Sequence, residues 1–127
     1  VLETPFLSAR SLAREHYPWI PLVLVRNRYD NEARVAGIPV PKLFIVAEND
    51  EVAPAAQGRR LFETARGARE LVVVPGAHHN DVWIVGGDAY WKAWANFLSS
   101  LSPRETGVRG KQPPPSLPPS PPGRGPG

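Results

Sequence analysis

Cysteine is absent from this 127-residue chain, which excludes disulfides and thiolate chemistry. No run is long and apolar enough to span a bilayer, so no transmembrane segment is expected. No charged, then hydrophobic, then small-residue leader is visible at the front. The chain opens at Val1 and reads as the interior of something larger. A folded basic surface is also missing. The formal net charge is +3, but residues 1–102 carry eleven Lys/Arg and eleven Asp/Glu. The excess comes from Arg104, Arg109, Lys111 and Arg124 against Glu105. Aromatic and basic residues are not interleaved as a nucleic-acid platform requires, so no nucleic-acid partner is expected. There are no internal repeats.

What is present divides sharply at Ser102. Residues 103–127 hold nine prolines and five glycines with almost no large apolar side chains. Such a composition cannot bury enough surface to offset its ordering entropy, and a disordered tail is expected there. The remaining hundred or so residues form one small foldable unit.

Within that unit, residues 42–47 and 70–74 read as buried strands, Lys42-Leu43-Phe44-Ile45-Val46-Ala47 and Glu70-Leu71-Val72-Val73-Val74. Between them, residues 55–66 have Leu61, Phe62 and Ala65 on one side of a helix, with Gly67 placed to stop it. Strand, helix and strand together have the length of a βαβ unit, which makes the two strands parallel. Residues 88–101 read as an amphipathic helix with Asp88 as N-cap and Gly86-Gly87 as punctuation. Its Tyr90, Trp91, Trp94, Phe97, Leu98 and Leu101 form one broad apolar face that must dock on a core.

The first forty residues are less regular. Val1-Leu2 fits the end of a strand, Ser8 to Glu15 a short helix, and Asp30 the cap of another running to about Ala36. Periodicity does not say whether Leu22-Val23-Leu24-Val25 is helix or strand. Residues 8–36 therefore form a partly helical excursion between two strands. Its Tyr17, Trp19 and Ile20 are expected to pack, with lining of a pocket as the alternative.

Both strands end in chemically useful residues. Glu48-Asn49-Asp50-Glu51 follows the first and Pro75-Gly76-Ala77-His78-His79-Asn80-Asp81 the second. Parallel neighbours share a C-terminal edge, where open α/β sheets place their sites. Asp50 can orient a histidine there, although an aspartate before a helix also commonly caps a turn. Glu48 and Glu51 are rival carboxylates, and Asp81 is a rival placed too near the histidines in the loop to orient one. A zinc site of His78, His79 and Asp81 is disfavoured because loop neighbours rarely direct their side chains to one metal. No cofactor is expected.

The segment Ile38-Pro39-Val40-Pro41 through Asp50-Glu51-Val52-Ala53-Pro54 resembles the acid strand of bacterial α/β-hydrolases. Pro75-Gly76-Ala77-His78-His79-Asn80-Asp81-Val82-Trp83 resembles their histidine loop, and Val1-Leu2-Glu3-Thr4-Pro5-Phe6-Leu7-Ser8 the segment after their nucleophile-bearing unit. The serine-aminopeptidase-like and depalmitoylase-like branch, whose loop reads Gly-x-x-His-Asn-Asp, is the nearest. The resemblance covers about residues 1–101. It implies an α/β fold, the C-terminal part of an α/β-hydrolase with about three parallel strands and flanking helices. It makes Asp50 the triad acid and His79 the base, with Asn80 and Asp81 in support and 8–36 a cap-like excursion. His78 departs from the pattern, because that position is usually small.

The family's Gly-x-Ser-x-Gly elbow is missing. None of Ser8, Ser11, Ser99, Ser100, Ser102, Ser116 or Ser120 has its setting. The expectation is a fragment of a serine hydrolase acting on ester, thioester or amide bonds of a small-molecule, acylated or peptide substrate, inactive by itself. The strand edge facing the missing nucleophile strand would be left open. The alternative is a non-catalytic remnant that binds a polyproline-recognising partner through residues 113–124, where Pro119-Ser120-Pro121-Pro122-Gly123-Arg124 fits a Pro-x-x-Pro-x-Arg pattern.

Overall fold

The computed structural model describes residues 1–26 and 29–102. The Pro-rich stretch 113–124 and its proposed partner lie outside the described residues. Strand β2 (Lys42–Ala47) is central, with β1 (Leu2–Glu3) on one side and β3 (Arg69–Val74) on the other, all parallel. Helices α1 (Ala9–His16) and α2 (Asn31–Val35) precede β2, α3 (Ala55–Thr64) links β2 to β3, and α4 (Val82–Leu101) ends the described chain. This is the three-stranded parallel sheet with flanking helices expected from the sequence.

All six residues of β2 are buried, which is why it reads as a continuous apolar run rather than an alternating one. Leu43, Ile45 and Ala47 face one layer with Val74, Val82, Tyr90 and Phe97. Phe44 faces the other with Leu7, Val35, Leu61 and Ala65. Apolar side chains thus leave water on both faces of the strand, and helices must cover each. Lys42 also lies inside, where its Nζ donates to the carbonyls of Ile38 (2.8 Å) and Val40 (2.9 Å), so the buried ammonium keeps hydrogen-bond partners.

Helix α3 approaches β2 through Gly58. A Cβ at that position would stand 2.7 Å from Val46 Cγ2, so only glycine allows this helix–strand distance. The helix ends at Thr64, shorter than the expected 55–66. Ala65 is already extended, and the left-handed Gly67 lies in the following turn rather than at the helix stop.

The last helix differs more from expectation. It spans Val82–Leu101, but Gly87, whose φ of 47° and ψ of −132° are non-helical, divides it into two helices. The helix expected over 88–101 is the second of these and follows the glycine pair; the short helical segment that precedes Gly87 is the part the expectation lacked. The apolar face is only partly covered. Tyr90 and Phe97 are buried, whereas Trp91, Leu98 and Leu101 are exposed.

In the excursion, Ser8 caps α1 by accepting from Ser11 N, Asp30 caps α2 by accepting from Ala33 N, and Leu22–Leu24 is a single 3-10 turn. Tyr17 and Trp19 do not pack as expected. They stack edge-on against each other and remain exposed, Trp19 by 77%.

Candidate active site

The C-terminal ends of β2 and β3 are stitched together beyond the last ladder pair. Glu48 N donates to Val74 O (3.1 Å) and Asn49 N to Ala77 O (2.9 Å). Gly76, at φ 72°, turns the chain after β3, and its amide donates to Glu48 Oε2 at 2.9 Å. The rival carboxylate Glu48 is thus spent on holding the two loops in register. A left-handed turn of this kind favours glycine because a side chain there would be strained.

This register brings Asp50 and His79 together. His79 Nδ1 lies 3.0 Å from both Asp50 oxygens. The Asp50 side chain is 1% exposed and that of His79 25%. Asp50 Oδ1 also accepts from Val52 N (2.9 Å) and Ala53 N (2.7 Å). The turn-capping and histidine-holding readings of Asp50 therefore coexist in one carboxylate, and its buried charge is compensated by N–H donors. A carboxylate accepts only, so Nδ1 carries the proton and Nε2 of the neutral ring is left as the acceptor.

The other acidic and histidine side chains are otherwise engaged. His78 Nδ1 approaches Glu51 Oε2 at 3.2 Å, and the His79 amide donates weakly to the same oxygen at 3.4 Å. Glu51 is held below the usual carboxylate range, first by a hydrogen bond from its own backbone, then by the His79 amide and by His78, against an opposing effect of burial. Asp81 Oδ1 accepts from His78 N at 2.6 Å, which folds the loop on itself. His78, His79 and Asp81 do not converge. Among the described residues no group of three His, Asp or Glu side chains is arranged to hold a metal ion.

Three of the described serines, Ser8, Ser11 and Ser100, serve local structure. Ser8 Oγ caps α1 and contacts Ser11 Oγ at 2.9 Å, and Ser100 Oγ donates to Phe97 O at 2.6 Å. Among the described residues no serine hydroxyl is hydrogen-bonded to His79.

One contact at the site was not legible in the sequence. His16, at the end of α1, donates from Nε2 to Val52 O at 2.7 Å. The two residues are 36 apart, and no motif or periodicity links them.

Fold and site together define an open α/β protein with a carboxylate–imidazole pair at the C-terminal edge of its parallel sheet. No family model matches the chain. It is 36% identical over 112 residues to an uncharacterized protein of Mycobacterium tuberculosis, covering 87% of this chain and 38% of that protein. It is 29% identical over 85 residues to the α/β-hydrolase domain-containing protein WAV2 of Arabidopsis thaliana, covering 65% of this chain and 28% of that one. The crystal structure of a Paleococcus ferrophilus monoacylglycerol lipase aligns with a TM-score of 0.49 at 24% identity, covering 80% of this chain and 44% of the lipase. The chain thus spans well under half the length of the curated relatives it matches. Among the described residues no helix is long and apolar enough to cross a membrane.

Proposed function

We propose that Asp50 and His79 are the acid and base of a Ser-Asp-His triad, in an α/β-hydrolase that cleaves ester, thioester or amide bonds of a small-molecule, acylated or peptide substrate. The observation that carries this reading is the 3.0 Å approach of His79 Nδ1 to both oxygens of the buried Asp50. It leaves Nε2 as the base and holds the ring in one orientation, which is what general-base activation of a hydroxyl requires. Similarity to an α/β-hydrolase domain-containing protein supports the same class.

In this mechanism His79 Nε2 takes the proton of an attacking serine and returns it to the leaving group. Asp50 stabilises the imidazolium formed in between. Water then repeats the cycle on the acyl-enzyme through the same nitrogen. The serine and the donors that stabilise the oxyanion belong to sequence outside these 127 residues, consistent with the share of the relatives' length that the chain spans. The 127 residues alone are therefore expected to be inactive.

The test is fluorophosphonate labelling of the product of the complete open reading frame that encodes these residues. Labelling is expected, with a loss on the order of 100- to 10,000-fold in rate for His79→Ala. Absence of labelling, or labelling that His79→Ala leaves untouched, overturns the reading.

A further inference from the structure

We propose that His16 is a positioning residue for the Asp50–His79 pair, acting through a single peptide group. The proposal deepens the reading above and rests on it for its catalytic meaning. His16 Nε2 donates to the carbonyl of Val52 at 2.7 Å. That carbonyl shares its planar peptide unit with the amide of Ala53, which donates to Asp50 Oδ1 at 2.7 Å. Asp50 Oδ1 in turn accepts from His79 Nδ1 at 3.0 Å. Two hydrogen bonds therefore run in one direction, from His16 through the Val52–Ala53 peptide onto Asp50 Oδ1, and the bond from His79 Nδ1 meets them on the same oxygen from the other side.

Hydrogen bonds in series polarise one another. A donor on the carbonyl of a peptide makes its N–H a better donor. His16 thereby strengthens the Ala53 bond to Asp50 and fixes the plane of the peptide that presents it. A carbonyl oxygen only accepts, so His16 must carry a proton on Nε2 for the contact to exist. The contact also ties the end of α1 to the acid loop. The excursion, which supplies no group to the Asp50–His79 contact itself, thus gains a hold on the geometry of the pair.

The arrangement differs from an ordinary surface tie in where it lands. His78 and Glu51 also form a contact in the same loops, but both side chains are more than half exposed and their bond ends in solvent. The His16 bond ends on the peptide whose other face is committed to a carboxylate with 1% exposure.

The experiment is proton–nitrogen NMR of the product of the complete open reading frame that encodes these residues, with His16→Ala, His16→Gln and Asp50→Asn. His16→Ala is expected to move the Ala53 amide proton upfield and to speed solvent exchange of the His79 Nδ1 proton. His16→Gln, whose Nε2 can donate from a similar position, is expected to restore both signals. A role confined to anchoring α1 would change signals in α1 and leave the Ala53 amide and the His79 ring proton where they are; that result overturns the proposal. If His16→Ala does not fold, His16→Leu keeps bulk without a donor and is read the same way. Asp50→Asn separates the two levels. If it leaves the His79 ring proton unchanged, the Asp50–His79 reading itself fails. If it removes that signal while His16→Ala and His16→Leu alter nothing at Ala53 or His79, only the positioning role fails.

Discussion

The carboxylate of Asp50 is shared between the imidazole of His79 and the amides of Val52 and Ala53, so one side chain both shapes its own loop and orients the His79 ring. The two roles separate by substitution. Asp50→Asn keeps an oxygen for the two amides and is expected to fold with little loss of stability. Asp50→Ala leaves those donors without their partner and is expected to cost about 1–3 kcal/mol. In the protein with its complete reading frame, both lose the oriented tautomer, and rates are expected to fall by on the order of 10,000-fold, the scale seen when such an acid is neutralised in a serine-protease triad. Urea melts and ester hydrolysis measured on the same variants check both halves.

The neighbouring histidines are expected to behave oppositely. His78 is exposed and faces Glu51, whereas His79 is turned into Asp50. His78→Ala is expected to change stability by less than about 0.5 kcal/mol, as surface substitutions usually do, and to keep fluorophosphonate labelling. His79→Ala is expected to lose it. Labelling that follows His78 instead would move the base by one residue.

How much of this was legible beforehand differs by region. The βαβ unit was readable because β2 is buried on both faces and so appears as an unbroken apolar run, ending near Asp50. The Asp50–His79 pairing followed once both loops were placed at one sheet edge. The short helical segment before Gly87 has no signal of its own, because the glycine pair reads as the boundary at which the longer helix begins. Tyr17 and Trp19 stay exposed against expectation, because apolar area in a sequence carries no information about whether a partner surface exists. His16 had no local signal, since its partner is a backbone carbonyl 36 residues away.

Packing of α4 gives a paired stability test. Phe97 is 4% exposed and sits with Leu43, Ile45 and Tyr90, while the adjacent Leu98 is 53% exposed. Phe97→Ala is expected to cost about 3–5 kcal/mol through lost burial and the cavity left behind. Leu98→Ala is expected to stay within about 0.5 kcal/mol. Similar costs for the two, by urea unfolding, would contradict the side of the helix assigned to the core.

Close approach at Gly58 predicts that Gly58→Ala destabilises by about 1–3 kcal/mol, because its methyl would collide with Val46 Cγ2. Val46→Ala in the same chain is expected to recover part of that loss, a non-additivity read from a double-mutant cycle.

Tyr90 connects the last helix to the first strand, its hydroxyl donating to Glu3 Oε2 at 2.7 Å. Burial, and then the bond to Glu3, raises the phenol above its ordinary 10.0. A raised phenol means that the folded chain holds this proton more tightly than the unfolded one. Its contribution to stability is therefore present below about pH 10 and lost as pH rises through the raised value. Tyr90→Phe is expected to flatten that alkaline decline, measured as melting temperature against pH.

The most direct measurement of the Asp50–His79 pair is the protonation of the His79 ring, observed by proton–nitrogen NMR of the neutral imidazole. A proton on Nδ1, shifted downfield by the Asp50 carboxylate and lost in Asp50→Asn, is the expected result. A ring protonated on Nε2, or one whose signals ignore Asp50→Asn, would contradict the account.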